Sequence, residues 1–108
     1  DKIRALAVTT VNRSPVAPEI PALNESGYEK GSVDLWWGVL APAGTPAAIL
    51  DQLNATLNQI LLSPEMKTFF LKEGAMPVGK TRQAFGQHIE AEILRWKAVA
   101  KTADIQPE

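Results

Sequence analysis

Apolar and polar positions alternate along Val33–Leu40. Val33, Leu35, Trp37 and Val39 fall on one face of an extended segment, and Asp34, Trp36, Gly38 and Leu40 on the other. Large rings on both faces predict a strand covered on both sides, as in an α/β sheet. Pro42 and Gly44 end it, Thr45 is placed to cap the next helix, and Pro46 suits that helix's first position. A second apolar run, within Lys2–Thr10, predicts another largely buried strand. The period then changes. Over Pro46–Leu62, Ile49, Leu50, Leu53, Leu57, Ile60 and Leu61 recur at helical spacing, with Asp51, Gln52, Asn54, Asn58 and Gln59 opposite them.

Two further helices follow. Ser63-Pro64-Glu65 carries a cap, a first-turn proline and an acid at the positive end of the dipole. Met66, Phe69 and Phe70 supply that helix's apolar side, and Gly74 its left-handed stop. Thr81 caps a third helix running to about Ala103, with Phe85, Ile89, Ile93, Trp96 and Ala100 as its buried stripe. Between the two, Ala75–Val78 reads as a short extended piece that Pro77 confines to an edge. Asn12–Ser32, with Pro15, Pro18, Pro21, Gly27 and Gly31, reads as a long loop holding one helical turn near Ala22–Ser26. Asp104–Glu108 reads as a tail. The expected class is α/β, helix-rich with a few strands.

Composition narrows the function. A chain of 108 residues with 45% hydrophobic and 21% charged residues has the balance of one small core. With a net charge of −1 and no basic block, nothing points to a nucleic-acid surface. The absence of cysteine excludes disulfides, thiolate metal sites and a cysteine nucleophile. No apolar run is long enough to span a bilayer. Without a signal-peptide pattern or an initiating Met, the sequence reads as a processed or trimmed chain.

Little in it points to catalysis. His88, the single histidine, has no ligand or base partner at useful spacing and reads as an ordinary helical residue. Glu90 and Glu92 face different sides of their helix, Glu25 and Glu29 lie in or near a loop, and all four read as solvated charges. No G-x-S-x-G elbow occurs. No cofactor and no metal is expected.

Binding is better represented. Ligands of open α/β sheets sit beyond the carboxyl ends of strands. There, Thr9, Thr10, Asn12 and Arg13 offer hydroxyls, an amide and a guanidinium that suit a carboxylate. The alternative is that the threonines merely finish a sheet and Arg13 is solvated. Trp36 either lines a cleft or covers a sheet, and Trp37 reads as core. The Thr45-Pro46 and Ser63-Pro64 helix starts offer N–H groups to an anion, or are simply caps.

R-A-L-A-V-T-T (Arg4–Thr10), R-S-P-V-A-P-E-I-P (Arg13–Pro21) and W-W-G-V-L-A-P-A-G-T-P (Trp36–Pro46) together resemble the C-terminal part of the Bug family. These are the periplasmic solute-binding receptors of tripartite tricarboxylate transporters. A-I-L-D-Q-L-N, S-P-E-M, G-A-M-P-V-G, F-G-Q-H-I-E-A-E-I-L-R-W and the closing D-I-Q-P extend the resemblance along nearly the whole chain in the same order. The sequence departs from it at two places: Ala22 stands where the family usually has Thr, and Arg82 and Gln83 stand where its final helix usually opens with acids.

The resemblance implies the C-terminal portion of a two-lobed periplasmic-binding-protein-like fold. Residues 1–32 would end the second lobe and its Pro-rich connection, and 33–108 would supply the crossover strand and C-terminal helices of the first. It implies closure around a small carboxylate or amino-acid ligand held by backbone amides and small polar side chains. It also implies delivery to membrane transporter subunits from a periplasmic location. Thr9, Thr10, Arg13 and Trp36 are the expected ligand-binding residues. Ser32 and Gly27–Gly31 are the expected hinge. An orphan first strand would invite self-association through its open edge. Two other readings stay open: a domain of an enzyme or regulator on the same scaffold, and a helical protein–protein interaction module without a ligand.

Overall fold

The computed structural model describes residues 3–28 and 31–105. Two compact units make up the chain: Asp1–Gly44 with Ser63–Pro77, and Thr45–Leu62 with Val78–Glu108.

In the second unit, α1 covers Ala47–Leu61 and α3 covers Arg82–Thr102. Their lengths follow the apolar periodicity to within a residue. Thr81 caps α3 as the sequence predicts, its hydroxyl accepting the Ala84 N–H at 3.1 Å. The start of α1 differs. Pro46 itself is the N-cap, at ψ 139°, and its carbonyl accepts the Ile49 and Leu50 N–H groups. Pro46 is therefore extended rather than helical, so Thr45 stands one residue too early to cap.

The polar face of α1 is not simply wet. Asn54 and Asn58 both donate through Nδ2 to the Lys80 carbonyl, at 3.0 and 3.1 Å. Asp51 pairs with Arg82 at 2.6 Å. These contacts tie α1 to the segment that leads into α3. At C′ of α3, Asp104 takes φ 53°. Its N–H donates to Lys101 O and that of Ile105 to Ala100 O, which is a Schellman closure on a non-glycine residue.

In the first unit, α2 covers Pro64–Lys72 and forms as read. Ser63 accepts from the Met66 N–H at 3.3 Å and Pro64 opens the helix. Gly74 closes it at φ 72°, with Gly74 N–H on Leu71 O and Ala75 N–H on Phe70 O.

Strands are where expectation and structure part. Among the described residues there is no ladder, only a single parallel bridge between Val8 and Ala22. Val33–Leu40 carries the alternating pattern but has no strand beside it among the described residues. The reason is physical: alternation prepares two faces, but a strand exists only when a neighbour's C=O groups accept its N–H groups and a neighbour's N–H groups donate to its C=O groups. The same lack uncovers the side chains. Trp37 is 78% exposed and Trp36 39%, so Trp37 is not core in this chain. The apolar stripes of α1 and α3 are only partly covered, with Ile49, Leu53, Ile60, Ile93 and Trp96 each still more than 40% exposed, and among the described residues Ala22 alone is buried.

Candidate functional site

Several long-range hydrogen bonds of the first unit gather around the turn at residues 9–12. The Pro-rich stretch beside it is turned rather than extended, with the Ala17 N–H on Ser14 O and the Ile20 N–H on Ala17 O, and its prolines have no N–H to donate. A 3-10 turn, Leu23–Ser26, forms where one helical turn was expected, and Gly27 ends it at φ 87°. Two strands of chain are then laced together. The Val8 N–H donates to Pro21 O and the Leu23 N–H to Val8 O, both at 2.9 Å. Asn24 Nδ2 donates to Val11 O at 2.9 Å, while its Oδ1 is enclosed without a partner.

Arg13 closes the lacing. Its Nε donates to Glu25 Oε1 at 2.8 Å and its Nη2 to Oε2 at 2.7 Å, a bidentate pair. Nη1 reaches Pro18 O at 3.0 Å. Glu25 Oε1 also accepts the Ala22 N–H at 2.9 Å, so one carboxylate holds both the guanidinium and the start of the 3-10 turn. The Arg13 hydrogen bonds, followed by the Ala22 N–H, hold the Glu25 carboxyl down at about 2, against an ordinary 4.5. Glu25 is thus no mere solvated charge. Its signal was available in the sequence: a Glu three residues after the residue that precedes a helical turn, where it can reach back to the backbone.

Each expected ligand residue has a defined place. The Thr9 hydroxyl donates to Val33 O at 2.9 Å, and the Val33 N–H donates to Thr9 O at 2.8 Å. The Thr10 hydroxyl donates to Asn12 O at 2.6 Å. Arg13 spends three of its five N–H groups on Glu25 and Pro18. Trp36 lies three residues along the segment that begins at Val33. The structure therefore places Thr9 and Thr10 in the 9–12 turn with Arg13 directly after it, and ties Thr9 to the start of the segment carrying Trp36. Of the expected hinge, Gly27 is left-handed and Gly31 fits closely: an added Cβ would stand 2.8 Å from Leu23 Cδ2. Glu29 and Lys30 lie outside the described residues.

Elsewhere the chemistry is sparse. His88 is half-buried within α3. Glu92 accepts from Trp96 Nε1 at 3.0 Å and faces Arg95, so it too is engaged rather than solvated. Among the described residues no group of three His, Asp or Glu side chains could hold a metal ion. No helix among them is long and apolar enough to cross a membrane.

Comparison with known proteins gives one consistent answer. The family model described as "Tripartite tricarboxylate transporter family receptor" matches residues 1–105. Protein BugT of Bordetella pertussis is 35% identical over 99 residues, covering 92% of this chain and 30% of that protein. A UPF0065 protein from the tcbD-tcbE intergenic region of Pseudomonas sp. (strain P51) is 32% identical over 97 residues, covering 89% of this chain and 29% of that protein. Among solved structures, "R. palustris Rpa4515 with adipate" matches with a TM-score of 0.84 and 41% identity, over 95% of this chain and 34% of that one. The chain thus spans about a third of the length of these relatives.

Proposed function

Because the chain belongs to the tripartite tricarboxylate transporter receptor family, we propose that it is the C-terminal third of a periplasmic solute-binding receptor. In that reading the whole protein is a two-lobed α/β fold that captures a small carboxylate or amino acid and presents it to membrane transporter subunits. It is a carrier of solute and not an enzyme.

The observation that carries the proposal is the agreement, at 41% identity and a TM-score of 0.84, with the solved structure of R. palustris Rpa4515 with adipate. Residues 1–32 then end the second lobe, and 33–108 form the crossover strand and C-terminal helices of the first. The exposed faces of Val33–Leu40 and of the helices are what remains when the other two-thirds of such a receptor is not there to cover them. Thr9, Thr10 and Trp36 are the residues of this chain that we assign to contact with the ligand, with Arg13, paired to Glu25, next to the threonines in the chain. Ser32 and Gly27–Gly31 are the segment we assign to lobe closure.

The test is a thermal-shift panel of C4–C6 dicarboxylates, citrate, acidic amino acids and aromatic acids. It is run on the 108-residue chain and on a longer protein extended upstream to family length. A ligand that raises the midpoint of the longer protein alone supports the receptor and names its substrate class, because binding to the native state stabilises it by mass action. A third of a cleft lacks the convergent donors and burial that give affinity, so the short chain stays unshifted. No shift in either, with the short chain monomeric and cooperatively folded, overturns the receptor reading in favour of an interaction module.

A further inference from the structure

The Arg13 guanidinium was expected to meet a ligand carboxylate, and its geometry argues otherwise. Its Nε and Nη2 edge is already filled by Glu25, in a bidentate pair with N–O distances of 2.8 and 2.7 Å. Nη1 is drawn to Pro18 O. The positive charge is matched within the pair, so an arriving anion would meet the Glu25 carboxylate along with the guanidinium and be repelled by it.

What the pair does hold is backbone. Glu25 takes the Ala22 N–H. Ala22, the one buried residue among those described, bridges Val8. Val8 carries Thr9, which is bonded twice to Val33 at the head of the Trp36 segment. Asn24 ties the same turn at Val11. Three successive links, at Val8, Val11 and Arg13, therefore clamp the 9–12 turn against residues 18–25.

We propose, resting on the receptor reading above, that Arg13 and Glu25 are positioning residues that lock the 9–12 turn and, through Thr9, the start of the Val33 segment in the arrangement that receives ligand. The pair acts as a unit. Removing either member frees the turn, and removing both adds little further.

The experiment uses the family-length receptor with Arg13→Ala, Glu25→Ala and the double variant, read in two ways. Amide hydrogen exchange at Leu23 and Val33, whose N–H groups close the lacing, is expected to quicken about tenfold in all three variants. Exchange at Ile89 in α3 is expected to stay unchanged. Adipate affinity by calorimetry is expected to fall by a similar factor, about tenfold, in all three. Unchanged exchange at Leu23 and Val33 overturns the proposal. A fall in affinity for Arg13→Ala with none, or a gain, for Glu25→Ala overturns it too, and makes Arg13 a direct ligand contact. Should the unaltered receptor ignore adipate, that counts against the carboxylate-receptor reading, and the exchange measurement still decides the positioning role.

Discussion

Gly79 is the position where one methyl group should cost most. It lies just before α3, and its φ is not in the left-handed region, so alanine's backbone preference is satisfied there. The obstacle is space. A Cβ built on Gly79 collides with Asn58 Oδ1, stands 3.0 Å from Leu62 Cδ1 and lies 3.3 Å from Asn58 Cγ. Asn58 is not free to swing aside. Its Nδ2 donates to Lys80 O at 3.1 Å and to Asn54 O at 2.9 Å. Moving it forfeits bonds worth about 0.5–1.5 kcal/mol each. The smaller unfolded-state entropy of alanine returns about 0.4–1 kcal/mol. The net expectation for Gly79→Ala is a destabilisation of about 1–2 kcal/mol, within the range for overpacking. Urea unfolding followed by helical circular dichroism measures it, as a lower midpoint at unchanged slope. Asn58→Ala supplies the control, because without the amide the new methyl has room. The double variant should then be less destabilised than the sum of the two single changes. A neutral or stabilising Gly79→Ala, or strict additivity with Asn58→Ala, would refute the reasoning.

Three further outcomes are expected. The Glu25 side-chain carboxyl, followed by NMR, should titrate at about 2 and return toward the ordinary carboxylate range in Arg13→Ala. Since its folded pKa lies below the unfolded one, its contribution to stability is complete above the ordinary 4.5 and disappears as pH falls through about 2. Asp104→Gly should stabilise the α3 terminus by up to about 1 kcal/mol, because φ 53° is costly for a residue with a Cβ and an acid opposes the negative end of the dipole. A midpoint unchanged or lowered in thermal unfolding would contradict this. Ser63→Ala should cost about 0.5–1 kcal/mol through the lost cap on Met66 N–H, and Ser63→Asp should cost nothing measurable in the same assay.

The apolar stripes of α1 and α3 show how far pattern alone reaches. Ile49, Leu53, Ile93 and Trp96 sit at the spacing of a core, and each is more than 40% exposed. The spacing was right about which side of each helix is apolar. It could not say what covers that side, because a helix's own spacing holds no record of what packs against it.

Local elements were therefore written in the sequence. The three helices, the Ser63 and Thr81 caps, the Gly74 stop and the turn at Leu23–Ser26 all form within a residue or two of where residue types place them. Each rests on interactions between residues no more than about four apart, so neighbouring chemistry decides them. The partners across the chain were settled only in three dimensions. Val8 with Ala22, Thr9 with Val33, Arg13 with Glu25, and Asn54 and Asn58 with Lys80 join positions far apart in sequence. A guanidinium or an amide carries the same donors whichever acceptor it meets. Only the folded backbone brings one acceptor to within 3 Å and turns a solvated charge into a clasp.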